Sequence, residues 1–286
     1  GQTLLINERN QLTASINNQE KNMKKRHLVY AIGLIVGMGA CAASAKKQAE
    51  SKPDVWKSYN VGTILFEDKA PETKGSDIYH RIIPDAESYI KEQARTVLAT
   101  LYNSPEDSIT PVSKIHYTLE DIEGISAKGG GNGDVTIFYS TRHIEKSFAE
   151  NDTAKLFFET RGVLLHELTH AYQLEPQGIG SYGTNRVFWA FIEGMADAVR
   201  VANGGFDGPN ARPKGGNYMD GYRTAGYFFV WLRDNKDPEF LRKFNRSTLE
   251  VIPWSFDGAI KHILGKEYSI DELWHEYQVA VGDIQV

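Results

Sequence analysis

The chain has 286 residues, 41% of them hydrophobic and 11% aromatic, with a formal net charge of -5. A chain of this size buries a core without staples, and its 24% charged share is ordinary for a globular protein. Cys41 is its one cysteine, which excludes an internal disulfide framework and a cysteine-built zinc site; no basic stripe follows the first 30 residues, which argues against nucleic acid as a partner.

Residues 1–22 are polar, precede Met23 and read as an upstream extension outside the mature fold. Met23 opens the pattern of a signal peptide. Lys24, Lys25 and Arg26 form a positive start, and an apolar run of 13 residues follows from Leu28 to Ala40. That run is shorter than the about 20 residues a membrane-spanning helix needs. It ends in Gly37-Met38-Gly39-Ala40-Cys41, which resembles the lipobox of bacterial lipoproteins, with Met38 where leucine is usual. The resemblance implies cleavage before Cys41, a lipid on that cysteine, and an exported protein tethered to a bacterial envelope on its periplasmic or cell-surface side. The alternative is secretion after cleavage near Ala43 or Ala45. Residues 42–54 read as a flexible spacer, and 55–286 as a single domain.

Within that domain, Val61 to Glu67 reads as a strand ended near Pro71. Pro84 to about Leu101 reads as an amphipathic helix, with Ile90, Ala94, Val97, Leu98 and Leu101 at helical spacing. Val112–Leu119 and Val135–Tyr139 read as strands able to pair antiparallel, and Gly129–Gly133 between them as a turn. From Ser140 the signals are helical. Helices are expected at Thr141–Phe148, at Thr153–Gln173 with Asn151 or Asp152 as its cap, at Arg186–Ala202 closed by Asn203-Gly204-Gly205, and at Asp220–Asp234. Pro238–Phe244 follows, then a stretch Thr248–Leu264 broken by Pro253, then a last helix after Ser269 with Glu272 at the capping-box position. No internal repeat interrupts this order. The expected architecture is α+β: a small antiparallel or mixed sheet followed by a mainly helical body.

The chemistry concentrates in His166-Glu167-Leu168-Thr169-His170, an HExxH sequence inside the long helix. Residues four apart share a helix face, so both imidazoles can point at one ion. Glu167 projects beside them, within reach of a water at an open position of that ion. Zinc held by three protein ligands keeps such a position and lowers the pKa of water there to about 7, so a neighbouring carboxylate can take the proton. No charged residue other than Glu167 falls between Gly162 and Leu174. Two histidines and a carboxylate on so apolar a helix are costly without a partner.

A third ligand must come from elsewhere. The metzincin spacing fails, because Gln173 and Pro176 stand where a glycine and a ligand are needed. The next helix offers Glu193 and Asp197, four apart in an apolar segment, and either can serve. Their spacing resembles the ExxxD arrangement of gluzincin peptidases, which implies Glu193 on the metal and Asp197 fixing the tautomer of a ligand histidine. The competing reading pairs one of these acids with Arg200. Gly194, beside Glu193, is expected to let the two helices approach around the ion.

Val163 to Gln173, Phe191 to Arg200 and Gly221-Tyr222-Arg223-Thr224-Ala225 together resemble the peptidase family that includes the plant basic secretory proteins. The resemblance covers roughly residues 60–280. It implies a zincin-like fold and zinc peptidase activity on a peptide or protein substrate, and it names no substrate. This chain is acidic, unlike the plant members. Tyr222 follows from the third segment as a donor to the oxyanion formed on an attacked carbonyl, with Tyr218 and Tyr227 competing for the role. If the reading holds, Val135–Tyr139 or Val112–Leu119 edges the cleft and pairs with extended substrate. Two other functions fit the same residues: hydrolysis of a non-peptide amide in cell wall or glycoconjugate, and non-catalytic binding at the cell surface. His80, His116, His143, His262 and His275 lack ligand spacing, and the run Tyr227–Trp231 reads as core.

Overall fold

Alternation builds the sheet. Ile115, Tyr117 and Leu119 are buried along strand Lys114–Glu120, and Val135, Ile137 and Tyr139 along strand Asp134–Ser140. The register sets Ile115 beside Val135, Tyr117 beside Ile137 and Leu119 beside Tyr139, so the apolar residues of both strands share one face. The structure is a computed structural model that describes residues 54–147 and 152–285. The extension, the leader ending at Cys41 and nearly all of the spacer lie outside the described residues. Val55–Val286 forms one compact unit.

Four strands are described: β1 (Thr63–Asp68), β2 (Lys114–Glu120), β3 (Ser126–Gly131) and β4 (Asp134–Ser140). Their order is β1-β2-β4-β3. β1 and β2 pair parallel, which needs a crossover, and helices α1 (Lys74–Ile82) and α2 (Ala86–Leu101) supply it. β2 and β4 also pair parallel, which corrects the antiparallel expectation. The reason lies in Gly129-Gly130-Gly131. These glycines are not a turn; they form the last half of β3, which runs antiparallel to β4. The turn is the pair Asn132-Gly133, with φ of 53° and 81°, the left-handed conformations of a two-residue hairpin. β3 takes the reversal, so β4 returns in the direction of β2.

The body that follows is helical: α3 (Thr141–Ser147), α4 (Thr153–Tyr172), α5 (Arg186–Ala202), α6 (Tyr222–Asn235), α7 (Phe240–Glu250), α8 (Phe256–Leu264) and α9 (Ile270–Ala280). The caps are those the residue types favour. Asp152 accepts from Lys155 N at the start of α4, Asn185 from Val187 and Phe188 N at α5, and Ser269 from Glu272 N at α9. Residues 251–255, with Pro253, separate α7 from α8. α4 packs on α2, α5 and β3, and α6 lies along α5. Gly194 faces α6, not α4: a Cβ there would meet Phe229 Cε2 at 2.7 Å and Ala225 Cβ at 2.8 Å. The expectation that Gly194 admits the HExxH helix is therefore corrected. Phe228, Phe229 and Val230 are buried, so the aromatic run of α6 is core. Among the described residues no helix is long and apolar enough to cross a membrane.

Candidate metal centre

α4 and α5 bring His166, His170 and Glu193 together. The spacing of four along α4 leaves the two imidazole centroids 4.7 Å apart, with Nε2 facing Nε2 at 3.0 Å. Glu193 reaches across from α5, placing Oε2 at 3.2 Å from His166 Nε2 and 3.5 Å from His170 Nε2. These are the three groups that could hold a metal ion among the described residues.

The protons around this triangle decide what it wants. His166 Nδ1 lies 2.7 Å from Asp197 Oδ1, so that nitrogen carries the hydrogen. His170 Nδ1 lies 2.7 Å from Gln173 Oε1. The Gln173 amide is oriented by its other end, where Nε2 donates to Ile192 O at 3.2 Å, so Oε1 is the acceptor and His170 Nδ1 the donor. With one proton each on Nδ1, both neutral rings turn a lone pair on Nε2 inward. Glu193 Oε2 joins them, buried and without a hydrogen-bond donor. Three electron-rich atoms facing one another in a buried pocket repel unless a positive charge sits among them. A divalent ion meets that demand, and two imidazoles with one carboxylate are a donor set that suits zinc.

The electrostatics express the same demand for positive charge, which a proton on His166 also meets. Burial opposes protonation of His166, yet the carboxylates of Asp197 and Glu193 outweigh it and raise its pKa to about 10. Burial likewise opposes ionisation of Glu193, and its two histidine neighbours reverse this and hold it well below the usual carboxylate range. Burial raises Glu167, against the pull of His166 and His170 and of the Lys128 backbone N–H. Glu167 is 7% exposed, so it stands beside the cluster in a dry setting, with β3 against it.

Arg200 does not engage either acid of α5; it donates to Glu159 at 2.8 Å. Of the three competing tyrosines, Tyr222 stands at the site. Its ring stacks on His166, with centroids 6.1 Å apart and planes at 17°, and meets Trp189 edge-on at 5.4 Å. Tyr218 donates to Asp271, and Tyr227 to Phe206 O. Gly221 makes the placement of Tyr222 possible: its φ is +64°, and a Cβ would meet Trp189 Cζ3 at 2.8 Å. His80, His116, His143 and His262 each bond a carboxylate away from the cluster, and His275 is exposed.

Two contacts had no forecast. Gln173 was legible, since it follows His170 by one helical turn. Tyr182 lies on the loop before α5 and donates to Glu193 Oε1 at 2.7 Å; no local pattern marks it.

An α+β body with a small mixed sheet and a cluster able to hold a metal is the class that fold and site define. The chain belongs to the family described as peptidase of plants and bacteria, whose model matches residues 62–277. No curated protein and no solved structure matches it.

Proposed function

We propose that the protein is a zinc-dependent peptidase of zincin-like fold, with His166, His170 and Glu193 as ligands and Glu167 as general base. The observation that carries this reading is the meeting of His166 Nε2, His170 Nε2 and Glu193 Oε2, with both Nδ1 protons committed outward.

Zinc, when bound, would polarise the attacked carbonyl and make a water acidic enough to lose its proton near neutral pH. Glu167 accepts that proton as the water attacks the amide carbon, and returns it to the departing nitrogen as the C–N bond breaks. Burial raises its pKa, the direction that favours holding the proton between those two steps. Asp197 and Gln173 keep the imidazoles in the tautomer that ligates. Tyr222, 47% exposed and stacked on His166, is assigned as donor to the oxyanion.

The strand that edges the cleft is β3. β2 and β4 each have a strand on both sides, so neither can take up substrate, contrary to the expectation for Val112–Leu119 and Val135–Tyr139. β3 has a free edge, and its Lys128 N–H acts on Glu167. An extended peptide adding to that edge would lie beside the base. Export and a lipid on Cys41 complete the proposal; they rest on sequence pattern, and mass analysis of Cys41→Ala against the parent tests them.

The main test is zinc content together with cleavage of a peptide library by the parent and by Glu167→Gln. One zinc per chain in both, with the rate of the variant reduced by about 100- to 10,000-fold, supports the reading. A parent chain that takes up no zinc ends it. Zinc with cleavage of non-peptide amides alone would reassign the substrate and keep the centre.

A further inference from the structure

Glu193 supplies one oxygen to the cluster, and its other oxygen is engaged. Tyr182 donates its hydroxyl proton to Oε1 at 2.7 Å, leaving Oε2 to face the two histidines. Tyr182 thus gives its hydroxyl hydrogen to Glu193. Trp189 and Glu193 sit one turn apart on α5.

Trp189 is itself held. Arg186 lies 4.0 Å over its ring, and Tyr222 packs against its edge and stacks in turn on His166. Tyr182, Glu193, His166, Tyr222 and Trp189 therefore form a chain of contacts along one side of the cluster. Every member but Tyr182 belongs to α4, α5 or α6. Tyr182 is 46% exposed, and its hydroxyl is the link that reaches Glu193.

A carboxylate with two free oxygens can rotate and present either or both to an ion. A hydrogen bond to one oxygen removes that freedom before the ion arrives. We infer that Tyr182 is a positioning residue for the metal centre, holding Glu193 so that Oε2 alone is offered beside His166 and His170. This rests on the ligand set proposed above. It acts through Glu193.

The test is the zinc affinity of the metal-free full chain, measured by competition with a chromophoric chelator, for the parent, Tyr182→Phe and Tyr218→Phe. Tyr182→Phe removes one hydroxyl from a half-exposed ring, so the metal-free protein keeps the parent melting temperature. Its zinc affinity falls by about tenfold or more, the usual loss when a partner orienting a ligand is removed. Tyr218→Phe, which removes a hydroxyl bonded to Asp271, leaves the affinity unchanged. A Tyr182→Phe chain that binds zinc as the parent does overturns the inference, as does an equal loss in Tyr218→Phe. A parent that binds no zinc overturns the ligand set instead, so the two failures are told apart.

Discussion

His166 Nδ1 sits 2.7 Å from Asp197 Oδ1, and the opposite nitrogen of the same ring faces His170 and Glu193. One ring thus separates the roles of two acids that lie four apart on α5. Glu193 meets the lone-pair side, and Asp197 meets the proton side.

Removing that partner weakens the centre without emptying it. Asp197→Ala leaves His166 free to change tautomer and to turn, and also strands a buried N–H. Zinc affinity is expected to fall by about 10- to 100-fold, and Asp197→Asn, whose amide oxygen still accepts, loses less. Calorimetric titration of the metal-free forms reads both. Equal affinity in Asp197→Ala and the parent would contradict the assignment.

Zinc is also expected to stabilise the fold. An ion that binds only the native state adds about 4 kcal/mol when present at 1,000 times its dissociation constant. For a unit of this size that raises the melting temperature by about 10 °C. Scanning calorimetry with and without a chelator measures the shift, and His166→Ala should abolish it.

A pH effect is expected away from the cluster. Glu159 on α4 accepts from His143 at 3.1 Å and from Arg200 at 2.8 Å. Burial opposes its ionisation, but the His143 hydrogen bond and the Arg200 guanidinium prevail and hold its carboxyl below the usual range. A carboxylate depressed in the fold contributes stability above its unfolded pKa of about 4.3, and that stability is lost as pH falls through the folded value. Glu159→Gln should therefore be less stable than the parent near neutrality, and the gap should close below about pH 4. Melting curves across that range check the sign; a gap that widens in acid would refute it.

Gly194 tests the packing that carries Glu193. An alanine there drives its Cβ into Phe229 and Ala225, both buried. Overpacking of this kind costs about 1–3 kcal/mol. Urea unfolding of Gly194→Ala should show that loss, whereas Gly131→Ala, whose Cβ meets nothing within 4 Å, should be close to neutral.

Much of the helical body was legible because helices are local. Arg186–Ala202 has the expected bounds, and Asp152, Asn185 and Ser269 cap as short polar residues do. The sheet was less legible. β3 is half glycine, a residue with poor strand propensity, and it is a strand because β4 pairs with it. Its one local signal was Asn132-Gly133, the usual dipeptide of a tight hairpin. Helix α1 also escaped notice, although Thr73 caps it by accepting from Ser76 N and Ile78, Tyr79 and Ile82 line its buried face.

By itself the amino-acid sequence determined that His166 and His170 share a helix face with Glu167 beside them, since a spacing of four fits the helical repeat. It also restricted the third group to Glu193 or Asp197. Only the tertiary structure brings Glu193, and not Asp197, to the two Nε2 atoms, because that depends on how α5 is rotated and set against α4. The same packing set Tyr222, rather than Tyr218 or Tyr227, against His166, turned β4 parallel to β2, and brought Tyr182 from a loop onto Glu193. Spacing along one helix is a property of neighbouring residues; which side chain faces which across two helices is set by the burial of every other residue between them.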